Sequence, residues 1–238
     1  MSNKKVYVDI GCSFPDSSPC LSEAEIKNSK IAFLAELDPE KFYKNKETYY
    51  YCNNVKLSNT RVQPDNIIEL LENSIGSAVN EINLFKIDID GYDYFVLDSF
   101  LKKYRPHQII AEINEKIPPP IKFTVLYNEK YSWDVSHFYS MSICMAYELC
   151  KNHNYSLVDF EFNNGANVFL VDNKKITSEY TSYTPEVLYK EKYIGNNYHT
   201  SIIYNQDVLH WQNLEPNDCV KVIRNFFRKY ENNFLCEL

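Results

Sequence analysis

The stretch that decides the fold runs from Asn83 to Asn114, NLFKIDIDGYDYFVLDSFLKKYRPHQIIAEIN. It opens on Asn83–Ile89, an apolar run of the kind buried on both faces in a parallel sheet. Tyr92–Tyr104 then repeats apolar residues at helical spacing, with Phe95, Val96, Phe100 and Leu101 on one side. Gln108–Ile113 is a second buried strand. Strand, amphipathic helix and strand in this order predict a parallel βαβ unit with a right-handed crossover.

The same alternation extends in both directions. Upstream, Val6–Ile10 is a short β-branched strand. Ser22–Asn28 is a helix with Ser22 as N-cap and Glu25 three residues on, the pattern of a capping box. Ile31–Leu37 is a buried strand that closes on Glu36, and Asp38-Pro39 opens a helix, because Asp caps and Pro suits the first helical position. Thr48–Cys52 is a weaker strand and Pro64–Glu72 a helix. Downstream, Ser140–Lys151 is a helix. Leu157–Phe162 and Ala166–Val171 are strands separated only by Asn163-Asn164-Gly165, too short for a parallel return, so they form an antiparallel hairpin. The expected class is therefore α/β, a Rossmann-like, doubly wound, mostly parallel sheet ending in an antiparallel hairpin, spanning residues 1–173. Residues 174–238 form a C-terminal extension with an amphipathic helix over Pro216–Tyr230. The apolar face of that helix packs on its own domain or on a second copy, which makes a homo-oligomer a candidate assembly.

Bulk properties narrow the function classes. The chain has 238 residues and a formal net charge of -7, and an acidic balance argues against a nucleic-acid partner. No stretch approaches the roughly 20 apolar residues of a membrane span, and the N-terminal apolar run is too short for a signal peptide. The seven cysteines include no C-x-x-C pair, which speaks against a zinc site or disulfide framework and for reduced thiols in the cytoplasm.

In an open α/β sheet, ligands bind outside the carboxyl ends of the strands. Asp9 and Gly11 lie at the end of the first predicted strand, Glu36 at the second, Asp88 and Asp90 at the Asn83–Ile89 strand, and Glu112 and Asn114 at Gln108–Ile113. A lone acid there is most often a cap or a solvated strand end; several at matching ends point to a site. Glu36 is the sharpest, because an acid at this place can accept both ribose hydroxyls of an adenosyl ligand. Gly11 lets backbone approach closely, although VDIGCSFPDSS carries one glycine where nucleotide-binding loops usually carry more. His137 is a candidate base or a plain loop histidine, and Asp134 would orient it or cap the following turn. Trp133, Phe138 and Tyr139 either wall an acceptor pocket or belong to the core. Tyr147 and Lys151 match the Y-x-x-x-K pair of short-chain dehydrogenases, but a match of two fixed residues is better explained by chance: Tyr147 is expected to pack and Lys151 to be solvated.

The block KIDIDGYDYFVLDSFLKKYRPHQIIAEIN (Lys86–Asn114) resembles the FkbM-type methyltransferases, whose members carry a similar I-D-I-D-G-x-D-Y segment, a helix, R-P and a strand ending in E-x-N. The likeness continues in YNEKYSWDVSHFYSMS (Tyr127–Ser142), GANVFLV (Gly165–Val171), AELDPEKF (Ala35–Phe42) and QPDNI (Gln63–Ile67), and covers roughly residues 6–172. A terminal hairpin is also a mark of class I methyltransferases. The resemblance implies an S-adenosylmethionine-dependent O-methyltransferase acting on a small hydroxylated acceptor, a sugar or nucleotide sugar. It implies Asp9, Gly11, Ser13 and Glu36 as cofactor ligands, with Asp88 beside the sulfonium. Deprotonation of the acceptor falls to Asp88, Asp90 or His137, with Asp90, Glu112 and Asn114 as candidate ligands for Mg²⁺. A methyltransferase-like binding module and a nicotinamide-dependent oxidoreductase are the alternatives.

Overall fold

The structure is a computed structural model describing residues 4–15, 21–161, 166–194 and 205–238. Two compact units emerge, Met1–Ile89 with Phe95–Ala111, and Asp90–Tyr94 with Glu112–Leu238.

In the first unit, β1 (Val6–Ile10), β2 (Ile31–Ala35), β3 (Val55–Ser58), β4 (Ile82–Ile87) and β5 (Gln108–Glu112) run parallel in the order β3-β2-β1-β4-β5. Their apolar runs are the reason: Val8, Ile10, Phe33 and Phe85 are fully buried, each contributing about 1.5–3 kcal/mol by leaving water. Helix α1 (Glu23–Asn28) starts at a complete capping box between Ser22 and Glu25. Helix α2 (Pro39–Thr48) starts at Asp38, whose side chain accepts from the Lys41 amide. Helix α3 (Ile67–Ile75) buries Ile67, Leu71 and Ile75, and α4 (Asp93–Leu101) stacks Phe100 on Phe85 with ring centroids 4.7 Å apart.

One strand expectation fails. Thr48–Cys52 is not a strand: α2 continues through Thr48 and the chain turns, Tyr49 donating to the Asn45 carbonyl. The third strand is Val55–Ser58, paired with β2 from Ala32↔Val55 onward. Of the three tyrosines in Thr48–Cys52, Tyr49 is buried (3% exposed), while Tyr50 and Tyr51 are 72% and 91% exposed. Their β-propensity reflects packing on a pleated surface, and here there is no surface to pack on.

The second unit contains β6 (Lys122–Val125), α5 (Ile143–His153), β7 (Tyr155–Glu161), β8 (Asn167–Asp172), α6 (Pro185–Leu188), α7 (Pro216–Phe226) and β9 (Phe234–Glu237). Strands β7 and β8 pair antiparallel from Tyr155↔Asp172 to Glu161↔Asn167. The expected hairpin is therefore present, although its Asn163-Asn164-Gly165 turn lies outside the described residues. The expected class, mostly parallel α/β with a closing hairpin, is the one seen. The antiparallel pair β6–β9 was not legible as strands in the sequence; it joins Phe123 to Cys236 and Val125 to Phe234. Behind it, Phe123, Phe138, Trp211, Ile223 and Phe227 form a closed aromatic core. Val220, Ile223 and Phe227 on the apolar side of the α7 segment are buried in this core, while Phe226 is 40% exposed. Among the described residues, no helix is long and apolar enough to cross a membrane.

Candidate active site

The first unit gathers its acids at the carboxyl ends of β1, β2 and β4. Glu36 follows β2 directly and is held on three sides. Its amide donates to the Ser58 carbonyl (3.1 Å) and its own carbonyl accepts from Asn59 Nδ2 (2.7 Å). Its carboxylate accepts the Ser13 amide at Oε2 and the Asp38 amide at Oε1, both at 2.8 Å. A carboxylate offers about four acceptor positions, so two remain, the number needed for two ribose hydroxyls. The acceptor chemistry therefore fits an adenosyl ligand.

Ser13 has a positive φ of 54°. Besides the amide bond to Glu36, its carbonyl accepts from Asn45 Nδ2, and Asn45 is 1% exposed. The loop after β1 is thus tied to β2 and α2 without further glycines. Gly11 has φ +76°, and a Cβ there would stand 1.7 Å from the Asp88 carbonyl oxygen. The close approach this glycine permits is that of the β4 end, sealed by the Asp88 amide donating to the Ile10 carbonyl (2.9 Å).

Asp9 is 1% exposed. Facing it is Lys86, whose Nζ lies 3.3 Å from Asp9 Oδ1 and 3.6 Å from Asp88 Oδ2. Sequence reasoning passed over this lysine, although a cation inside the apolar run LFKI was a visible signal. Burial, with Asp9 and Glu36 nearby, pushes the Cys12 thiol well above its usual value, so it stays protonated.

In the second unit, Asp90 and Glu112 bring carboxylate oxygens within 4.8 Å of one another. Asp90 adopts φ 53°, and its carbonyl accepts from Tyr131 Oη at 3.0 Å. Asn114 is fully buried and donates Nδ2 to the carbonyls of His137 (2.7 Å) and Tyr139 (3.3 Å). Its Oδ1 has no partner among the described residues. Carboxylate oxygens such as those of Asp90 and Glu112 are hard ligands in type.

His137 is only 5% exposed; its Nε2 sits 3.0 Å from Asp207 Oδ1 and its ring lies against Phe226. Asp207, distant in sequence, is a carboxylate partner of this ring. Asp134 accepts from Tyr230 Oη (2.6 Å) and Lys229 Nζ (3.1 Å). Phe138 belongs to the core, stacked on Tyr230 at 3.8 Å, and Trp133 donates Nε1 to the Ser136 carbonyl. Tyr147 is half-buried and Lys151 exposed, paired with Glu148, as expected of a chance match.

The Asp134 clamp has a pH signature. The hydrogen bond from Ser136, aided by Tyr230 and Lys229, lowers its carboxyl from 3.8 to about 2. A lowered folded-state value stabilises the protein above the usual 3.8, and that stabilisation is lost as the pH falls to about 2. In thermal melts Asp134→Asn should therefore lie slightly below wild type at neutral pH and converge on it near pH 2. A constant offset at every pH contradicts this assignment.

Residues 16–134 match the family model described as the methyltransferase FkbM domain. That is half of the chain. The chain belongs to the FkbM methyltransferase family. This FkbM-family protein is an S-adenosylmethionine-dependent methyltransferase, and the oxidoreductase and binding-module alternatives fall away. No curated protein matches it. Among solved structures it is similar to a Listeria monocytogenes protein assigned as an S-adenosylmethionine-dependent methyltransferase (11% identity, TM-score 0.46, covering 72% of this chain and 92% of that one). It is also similar to the N-methyltransferase NodS from Bradyrhizobium japonicum WM9 (9%, 0.43, 71% and 86%). A third is the Aeropyrum pernix fibrillarin with natively bound S-adenosyl-L-methionine (8%, 0.42, 71% and 66%). The family assignment rests on the model match alone.

Proposed function

We propose that this methyltransferase acts on a hydroxyl group of a small acceptor, a sugar or nucleotide sugar, with Asp9, Gly11, Ser13, Glu36 and Asp88 forming the cofactor side. The observation that carries the cofactor assignment is the Glu36 carboxylate, fixed by two backbone amides with two acceptor positions to spare. S-Adenosylmethionine, when bound, supplies an electrophilic methyl group on a sulfonium. Glu36 receives the ribose hydroxyls, and the Asp88 carboxylate offers negative charge to the sulfonium.

With the cofactor bound, its methyl group would be the one transferred to the acceptor oxygen, leaving the thioether, and the hydroxyl proton would have to pass to a base of this chain. A sugar hydroxyl is a poor nucleophile at neutral pH, so that base matters. Of the three candidates, Asp88 is given to the sulfonium, and Asp90 is better placed than His137. It is half-buried, whereas His137 is buried and engaged with Asp207. Mg²⁺ on Asp90, Glu112 and Asn114 would assist by lowering the pKa of a bound hydroxyl. The oxygen chemistry of these donors and the partnerless Asn114 Oδ1 support that finer reading.

The test is incubation with methyl-labelled S-adenosylmethionine and separate panels of sugars, nucleotide sugars and amines, with Mg²⁺ or with a chelator. A labelled methyl ether on a sugar hydroxyl is expected, suppressed by the chelator. Label found only on nitrogen would sink the acceptor class, and chelator-insensitive turnover would sink the metal.

A further inference from the structure

Lys86 is a buried cation near the end of β4, a largely apolar strand. It stands in register with Asp9 across the β1–β4 pair. It also shares a sheet face with Asp88, because side chains two apart on a strand point the same way. The result is a row of acid, lysine and acid. The side chains of Asp9 and Lys86 are 1% and 3% exposed, while that of Asp88 is 26% exposed. The buried pair is the anchor, and the more open carboxylate is the end that a ligand can reach.

Stability does not call for this arrangement. A buried ion pair is often replaced by apolar side chains of similar size with no loss, and β1 and β4 are otherwise apolar at their buried positions. Nor is Lys86 there to hold a thiolate, since the neighbouring Cys12 stays protonated. The lysine reaches the one partly exposed acid at the β4 end, 3.6 Å away.

We propose that Lys86 is a positioning residue: anchored by Asp9, it holds the Asp88 carboxylate in place for the methyl-bearing, positively charged cofactor. On this account Asp9 serves the cofactor through Lys86 rather than by touching it. The inference rests on Asp88 facing the sulfonium. It assigns a role to two residues, Asp9 and Lys86, that the chemistry of transfer does not itself require.

The test is calorimetric binding of S-adenosylmethionine, and of S-adenosylhomocysteine, which lacks the sulfonium charge, to the full chain. Asp88→Asn should weaken S-adenosylmethionine about 10-fold, the size of coupling usual within one ion-pair network, and leave S-adenosylhomocysteine nearly unchanged. The neutral swap Asp9→Asn with Lys86→Met should cause the same selective loss, and adding Asp88→Asn to it should cost nothing further. Additive losses, or wild-type selectivity in the swap, overturn the proposal. If the swap does not fold, Lys86→Arg carries the test: it keeps the cation, so Asp88→Asn should still cost about 10-fold in that background, and disappearance of that cost is the contrary result. A wild-type chain that binds neither ligand would instead defeat the cofactor assignment, a distinct failure.

Discussion

Gly11→Ala should lower the stability of this methyltransferase by about 3 kcal/mol or more, a size seen when a core backbone position is violated. Two effects add. The residue sits at φ +76°, a region that costs an L-residue roughly 1–2 kcal/mol. The added Cβ would also stand 1.7 Å from the Asp88 carbonyl oxygen. That oxygen belongs to backbone tied into the β1–β4 pair, so neither side gives way cheaply. For a chain of this size about 2–4 °C is lost per kcal/mol, which places the expected fall near 10 °C. Gly76→Ala is the internal control. It has φ +54° and ψ −135° but nothing within 4 Å of the new Cβ, so only backbone strain in a glycine-favouring region applies, about 1–3 kcal/mol. Equal losses at the two sites would show that the Asp88 approach is not what demands glycine at position 11.

Replacing Glu36 by Ala should weaken S-adenosylmethionine and S-adenosylhomocysteine alike, by about 100-fold or more, because hydrogen bonds to a charged acceptor are worth about 1.5–3 kcal/mol each. Both ligands carry the same ribose, so the loss is not selective, unlike that expected at Asp88. Glu36→Gln keeps one acceptor oxygen and should lose less. Part of the Ala effect comes through the loop, since the Ser13 and Asp38 amides lose their carboxylate partner. An alanine variant with unchanged affinity for both ligands would remove Glu36 from the cofactor side.

Much of this was legible in the sequence because local chemistry and tertiary context agree. The Ser22–Glu25 capping box, the Asp38-Pro39 helix start and the buried runs of β1, β2 and β4 each carry their own signal, and all formed, β2 ending at Ala35 rather than Leu37 and β4 at Ile87 rather than Ile89. The acids at strand ends were legible for the same reason: once a run is a parallel strand, its last residues fall at the ligand-binding edge. What was lost depends on partners far along the chain. Strand β6 is defined by β9, which lies at the other end of its unit in sequence. His137 is explained by Asp207 and Asp134 by Tyr230, neither readable from spacing. Thr48–Cys52 misled because aromatic residues favour strands only where a sheet receives them. Lys86 was visible but unread, its meaning given by the register that sets it opposite Asp9. At Gly11 the sequence points to close approach of a ligand, and the structure adds the close approach of the Asp88 carbonyl.

The most direct measurement is thermal unfolding of the intact chain with S-adenosylhomocysteine, and separately with NAD. Ligand at 100 times its dissociation constant adds about 2.7 kcal/mol to the folded state, a rise of roughly 5–10 °C at about 2–4 °C per kcal/mol. The expected result is that rise with S-adenosylhomocysteine, its loss in Glu36→Ala, and no response to NAD. No shift at millimolar S-adenosylhomocysteine, or a shift with NAD alone, would contradict the cofactor site described at the ends of β1, β2 and β4.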